Sequence, residues 1–163
     1  MPQQQDEINK DQWSILTLDD EIRVDQLCQQ LLKEFHQYLL GSLGHDQLTA
    51  GALARGADYF LRDFVIDRLR TNVFLISAEQ VRGFAGNWYI HQALEPNAKE
   101  LGDTLQGVAA FYRYCFAQGW IEEYQFREIE RACEHLDFYR ERIEGFHALT
   151  GDDYDLWCRV CPL

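Results

Sequence analysis

Cys158 and Cys161 form the pattern in this chain that most directly suggests chemistry. A Cys-x-x-Cys pair is half of a tetrahedral zinc site, which needs two further Cys or His ligands. Cys133, His135 and His147 precede the pair and are the candidates for those ligands. A redox dithiol normally lies at a helix N-terminus, which lowers a thiol pKa, but a proline follows this pair at once. The third interpretation is that both cysteines pack in the protein or lie in a free tail, without a metal.

Other catalytic patterns in the sequence are incomplete. Glu144 and His147 match one Glu-x-x-His motif of a di-iron site in a helical bundle, which needs two such motifs and two more carboxylates. No other histidine has a glutamate three residues before it. The serines, Ser14, Ser42 and Ser77, do not lie in a Gly-x-Ser-x-Gly motif. We therefore expect no catalytic residues, no cofactor other than the candidate zinc ion, and no small-molecule substrate.

The chain is acidic, and its charge is unevenly distributed. Its 163 residues carry a net charge of −12, of which −5 falls in residues 1–45 and −6 in residues 121–163. DNA-binding proteins gain affinity from lysine and arginine at phosphates, so this balance argues against a strong nucleic-acid-binding protein. No apolar run reaches the roughly 18 residues of a membrane span. The N-terminus lacks the pattern of a secretory signal, so we expect a cytoplasmic protein without a membrane partner.

Apolar residues at helical spacing predict an all-α fold. From Lys99 to Trp120 they recur every three or four residues, which places them on one stripe of a helix. Similar stripes precede and follow this stretch, and Cys28 and Cys115 fall on two of them, where we expect buried, reduced thiols. The sequence therefore predicts an orthogonal bundle of about five helices, packed around the helix that begins near residue 99.

Capping residues predict where three of these helices begin. Asn97 accepts hydrogen bonds at the start of the central helix, with Glu100 three residues later. Ser77 and Gln80 form a capping box before the preceding helix. Thr49 is the predicted start of the second helix, because threonine is a common N-cap residue.

We expect three segments: a flexible leader at 1–17, one helical domain at 18–149 and a C-terminal tail at 150–163. The last part of the domain, 121–149, is predicted as one long helix with three heptads of an apolar seam. The seam consists of Ile129, Ala132, Leu136, Tyr139, Ile143 and Phe146. It packs either on the domain itself or on a second chain, as a protein partner or a homodimer.

The second helix is the most basic part of the chain. Its arginines are Arg55, Arg62, Arg68 and Arg70. They are candidates for contact with nucleic-acid phosphates. The alternative is that they form ion pairs along the helix, Asp58 with Arg62 and Asp67 with Arg70, on a solvated face.

Residues from about 31 to 122 resemble the SAM-like core-binding domain that precedes the catalytic domain of tyrosine recombinases and phage integrases. The resemblance lies in the order of four segments: LLKEFHQYL, ARGADYFLRDFV, SAEQVRGF and LGDTLQGVAAFYRYCFAQGWIEE. It covers a little over half of the chain and excludes the catalytic domain. It implies a SAM-like helical core and DNA binding by a clamp of helices.

Two functions follow from these observations as expectations. The first is a non-catalytic helical interaction module that binds a protein partner or itself. The second is a DNA-associated accessory protein that uses the recombinase-like helices. A small zinc or thiol protein built on the C-terminal cysteines is a third and more distant alternative.

Overall fold

The computed structural model describes residues 7–163, and within that range the chain is helical with no β-strand. Its α-helices are α1 (Leu18–Gly41), α2 (Gln47–Asp58), α3 (Ala78–Gly83), α4 (Tyr89–Gln92), α5 (Ala98–Ala117), α6 (Glu123–Glu134), α7 (Leu136–His147) and α8 (Asp153–Val160). The predicted all-α class is confirmed. In the part of the chain that the structure describes, no helix is both long enough and apolar enough to cross a bilayer.

The helix starts follow local capping chemistry. Asn97 accepts a hydrogen bond from the backbone N–H of the third residue of α5, and Ser77 forms the predicted capping box with Gln80 before α3. The predicted start of α2 at Thr49 is wrong. Asp46 is the N-cap instead, because its carboxylate accepts the backbone N–H of Thr49 at 2.7 Å. Thr49 is thus the third residue of the helix.

Two helices continue into π-helical segments, in which each turn holds an extra residue. The helix α2 continues as Tyr59–Arg68, and α3 continues as Phe84–Trp88 before α4 begins. Aromatic rings of the two segments pack against each other. The Phe60 and Phe84 rings lie 5.1 Å apart, and those of Phe64 and Trp88 lie 5.3 Å apart. This aromatic cluster forms the centre of the core.

The helices α2 and α5 cross at glycines. A Cβ atom on Gly56 would lie 2.7 Å from the carbonyl oxygen of Thr104, and one on Gly107 would overlap the carbonyl oxygen of Leu53. Such distances are too short for a side chain, so glycine allows the two backbones to touch. This contact fixes α5 against α2 and leaves the opposite side of α5 free for other elements.

The structure divides the predicted long helix at 121–149 into α6 and α7. His135 lies between them with φ −75° and ψ 43°, outside the helical region. The Tyr139 hydroxyl donates to the carbonyl oxygen of Ala132 at 2.6 Å, which satisfies an acceptor near the break. One straight helix of this length would extend about 40 Å and leave the core. The change of direction lets α6 pack on α3 and α5 while α7 packs on the second π-helical segment.

Both ends of the described chain pack on the core. A short 3₁₀ turn precedes α1, and within it Trp13 is buried with its ring 5.1 Å from that of Phe74. The side chain of Asn72 donates to the carbonyl oxygen of Lys10 at 2.9 Å. At the other end, the predicted tail contains α8, whose Trp157 is buried against the bundle. Nearly all of the described chain therefore contributes to one packed structure.

Candidate functional site

A groove with an apolar floor lies along the face of α5 that turns away from α2. We call it the α5 groove, and its volume is about 620 Å³. Gly102, Leu105, Ala109 and Ala110 form its floor, at spacings that keep them on one side of the helix through about two turns. Three of these four residues are glycine or alanine, so the floor is shallow.

The walls of the α5 groove come from α1 and α6. Tyr38 lies at the end of α1 with its ring 4.8 Å from that of Tyr114, and Leu43 follows in the next loop with 49% of its surface exposed. The opposite wall is the end of α6 and the start of α7, where Leu136 comes to 3.6 Å from the position of a Cβ on Gly102. The groove is therefore lined mainly by apolar and aromatic groups.

The charged groups of the groove stand on its α6 wall. Arg113 on α5 donates to Glu130, which also pairs with Arg127 at 3.4 Å. Arg113 and Arg127 both lie over the ring of Phe126. Glu134 is exposed one turn beyond Glu130 and also lines the groove. This charged edge of the groove, which we call the rim, therefore carries two carboxylates. That of Glu130 is already paired with arginine.

Burial keeps Tyr114 and Cys133, which line the groove, in their neutral forms. It raises the pKa of Tyr114 to about 12, and the charge of Glu34 acts in the same direction. Burial also raises the pKa of the Cys133 thiol to about 12, with further contributions from Glu134 and Glu130. At neutral pH the groove thus offers neutral hydroxyl and thiol groups and no thiolate.

The predicted seam residues are mostly inside the domain. Four of them, Ile129, Ala132, Tyr139 and Ile143, are buried in the core, and the break at His135 interrupts the seam. Phe146 is partly buried and packs 5.2 Å from the ring of Trp157. The continuous seam expected for a second chain therefore does not form. Leu136 is the seam residue that reaches a surface groove, as part of the wall described above.

The predicted arginines do not form one basic surface. Arg62 pairs with Asp58 at 3.2 Å, as the ion-pair alternative predicts, and also with Asp25 of α1 at 2.9 Å. Arg70 pairs with Glu21 at 3.3 Å, and the expected pair with Asp67 is absent.

Arg55 and Arg68 are exposed, and neither has an ion pair within residues 7–163. Arg55 lines a shallow cavity of about 280 Å³ between α1 and α2, together with Lys33, His36 and Arg62.

The predicted zinc ligands Cys158, Cys161, Cys133 and His135 do not converge. Among residues 7–163 no three His, Cys, Asp or Glu side chains lie close enough together to hold a metal ion. Cys133 is buried in α6, and Cys161 donates from its sulfur to the carbonyl oxygen of Arg82 at 3.3 Å. The C-terminal helix places the Cys-x-x-Cys pair beside α3, away from the other two candidates.

Sequence reasoning missed the α5 groove. The apolar stripe of α5 includes Leu105 and Ala109 of the groove floor and predicts only that they are buried, whereas Gly102 and Ala110 lie outside it because small residues carry little hydrophobic signal. The spacing of seven and eight residues from Gly102 to Ala109 and Ala110 is the pattern that would have indicated a second, shallower face. No family model matches the chain, and no match is found among curated proteins or solved structures. The resemblance to recombinase core-binding domains remains a prediction.

Proposed function

We propose that this protein is a non-catalytic helical interaction module, and that the α5 groove binds an apolar face of a helix from a partner protein. The observation that carries the proposal is the groove itself, with its small-residue floor and the half-exposed Leu43 at its edge. A helix packs in such a groove through side chains at positions i, i+3, i+4 and i+7.

The dimensions of the groove support a helical occupant. The floor runs from Gly102 to Ala110, which is about 12 Å along a helix that rises about 1.5 Å per residue. Short side chains on one helix permit close approach of another, because ridges of the partner then fit between the walls. Tyr38 and Tyr114 on one side and Leu136 on the other provide apolar contacts for the partner's side chains.

The charge of the chain favours a basic partner over a second copy. The rim carries Glu134 and also Glu130, which Arg113 and Arg127 already pair with, and the whole chain carries a net charge of −12. Two copies would bring like charges together, whereas lysine or arginine beside the apolar face of a partner helix would pair with the rim. The occupant that the groove fits is therefore an amphipathic helix with basic flanks.

The test compares two alanine-to-arginine variants. Ala109→Arg places a long charged side chain on the groove floor, and Ala52→Arg places the same side chain on the exposed face of α2. Each protein is immobilised and exposed to proteins from the cells that produce it, and the retained proteins are quantified by mass spectrometry. Circular dichroism and thermal unfolding confirm that both variants fold.

We expect wild type and Ala52→Arg to retain the same partner, and Ala109→Arg to retain at least about tenfold less, equivalent to about 1.4 kcal/mol of binding free energy. If Ala109→Arg retains the same proteins as the wild type, or the wild type retains nothing beyond what Ala109→Arg retains, the groove is not the binding face.

DNA association is the second candidate function, and the exposed Arg55 favours it, because it lines one cavity with Lys33, His36 and the Asp58–Arg62 ion pair. Electrostatic binding to phosphates weakens steeply with salt. A gel-shift series over salt therefore tests this function with Arg55→Glu, and with Arg131→Glu on the exposed face of α6 as the matched control. Binding that only Arg55→Glu weakens would support DNA association, and absence of binding at about 50 mM salt would contradict it.

A further inference from the structure

Arg142 is a buried cation without an anionic partner. Only 5% of its surface is exposed, and no carboxylate within residues 7–163 pairs with it. Its Nε donates to the carbonyl oxygen of Gly86 at 2.9 Å, and Nη1 donates to that of Trp157 at 2.6 Å. Its Nη2 is buried and has no acceptor. A buried charged donor without an acceptor is costly and requires an explanation.

Cys161 and Arg142 contact the same backbone position, because the Cys161 sulfur packs on Gly86, whose carbonyl oxygen accepts the hydrogen bond from Arg142. The guanidinium lies over the ring of Trp157, 3.7 Å from its centroid, next to Cys158 in the chain. Cys161 packs its sulfur on Gly86, where a Cβ would lie only 2.7 Å away. Burial lowers the pKa of Arg142, and the charges of both thiols oppose that effect. The two thiols and the arginine thus form one cluster.

We propose that Cys158 and Cys161 are a thiol oxidation site that forms an intramolecular disulfide when a hydroperoxide is present. Cys158 lies in the last turn of α8 and Cys161 is the first residue after it. Because Arg159 and Val160 between them are helical, the Cα atoms of the two cysteines are about 5 Å apart, a distance that a disulfide bridges. Cys158 is partly exposed and Cys161 is buried directly after α8, whereas Cys28, Cys115 and Cys133 are buried within longer helices. The proposal is independent of the function assigned to the α5 groove.

The reaction has two steps. The Cys158 sulfur attacks one oxygen of the hydroperoxide, the O–O bond breaks, and Cys158 becomes a sulfenic acid while water or an alcohol leaves. The Cys161 sulfur then attacks the Cys158 sulfur, the S–O bond breaks, and the hydroxyl leaves as water with the thiol proton. The two thiols lose two electrons in total, which the hydroperoxide receives.

The disulfide would loosen the C-terminal segment. To form the disulfide, the Cys161 sulfur would lose its packing contact with Gly86 and its hydrogen bond to the carbonyl oxygen of Arg82. The carbonyl oxygen of Cys161 accepts a hydrogen bond from the buried side chain of Asn87 at 2.9 Å, and this contact would be strained as well. We therefore expect α8 to be held less firmly in the oxidised protein.

Peptide mapping with trypsin tests the proposal on the folded full chain. Trypsin cleaves after Arg159, between the two cysteines, so the disulfide would join residues 143–159 to residues 160–163 in one linked pair. The protein is treated with hydrogen peroxide, free thiols are alkylated, and the digest is analysed by mass spectrometry. We expect the linked pair in wild type and in Cys133→Ala, and its absence in Cys158→Ser and Cys161→Ser.

A second measurement follows the loosening of α8. Brief proteolysis of the folded protein should cut the loop before α8 about tenfold faster after oxidation, and the difference should disappear in Cys158→Ser. The proposal is overturned if both cysteines remain alkylatable in the peroxide-treated protein. It is equally overturned if the linkage forms with another cysteine, or if Cys158 is oxidised to the sulfinic acid without forming a disulfide.

Discussion

Single residues decide how closely α2 and α5 pack. Gly107 touches the backbone of α2, whereas Gly51 lies in the same helix pair with only the Arg55 side chain near it, at 3.9 Å from a Cβ position. A substitution to alanine would therefore create a steric overlap at Gly107 and none at Gly51. Steric overlap with a backbone has no easy relief, because both backbones are held by their own helical hydrogen bonds.

Gly107→Ala should reduce the free energy of unfolding by about 3 kcal/mol, because overlap in a packed interior outweighs the gain in helix propensity. Gly51→Ala should increase it by up to about 1 kcal/mol, because alanine is the better helix former. Urea unfolding followed by circular dichroism measures both. Equal stability of the two variants would contradict the close crossing of α2 and α5.

Asp20 stabilises the start of α1 through its ionised carboxylate. The backbone N–H groups of Leu16 and Thr17 donate to it at 2.9 and 3.0 Å, and Arg23 pairs with it at 2.8 Å. The hydrogen bond from Leu16, followed by that from Arg23, lowers the pKa of Asp20 from 3.8 to about 2. Because the folded pKa is lowered, the stabilisation is fully present above pH 3.8 and is lost as the pH falls to about 2.

Asp20→Asn should therefore be less stable than the wild type at neutral pH, and the difference should shrink as the pH falls from about 4 to about 2. Arg23→Gln should keep most of this pH dependence, because the backbone hydrogen bond from Leu16 is the larger cause. Thermal unfolding over this pH range provides the measurement. A difference between Asp20→Asn and wild type that does not vary with pH would contradict the assignment.

At the scale of helices, the break between α6 and α7 determines which surfaces the C-terminal third can form. With the break at His135, both helices place an apolar face on the core, and the acidic faces point outward. The end of α6 then stands beside α5 and completes one wall of the α5 groove.

Tyr139→Phe tests the hydrogen bond that accompanies this break. Loss of the buried hydroxyl leaves the carbonyl oxygen of Ala132 without that donor, and we expect the free energy of unfolding to fall by about 1–2 kcal/mol. Tyr124→Phe is the matched control, because Tyr124 is 77% exposed and should change stability by less than about 0.5 kcal/mol. If chemical denaturation finds the two variants alike, the hydroxyl does not stabilise the break.

At the scale of the whole molecule, charge governs association. The chain carries a net charge of −12, and the predicted seam residues that would join two copies are mostly buried within one. Sedimentation velocity should therefore show a single species near 19.2 kDa at low and high protein concentration. A dimer that grows with concentration would favour the self-association alternative and would argue against a basic partner helix in the α5 groove.

Features that depend on neighbouring residues were predictable from the sequence. The helical class follows from apolar spacing, and Asn97 and Ser77 cap the helices they precede, because a cap and its target are three residues apart. Arg62 and Asp58 are likewise one helical turn apart and form the predicted ion pair. The sequence did not predict Asp46 as the N-cap of α2, because the nearby Thr49 is also a residue type that commonly caps helices.

Contacts between distant residues were decided by the tertiary structure alone. Arg62 forms an ion pair with Asp25 on another helix. Cys161 packs against Gly86 and does not bind a metal with the other predicted ligands. Leu136 contacts Gly102 and forms part of one wall of the α5 groove. The local sequence permits a continuous helix through His135, but the helix ends there because two apolar faces must reach different parts of one core. Local hydrogen bonding thus determined the helices of this protein, and the burial of their apolar faces against one another determined its grooves, its ion pairs and the surroundings of its thiols.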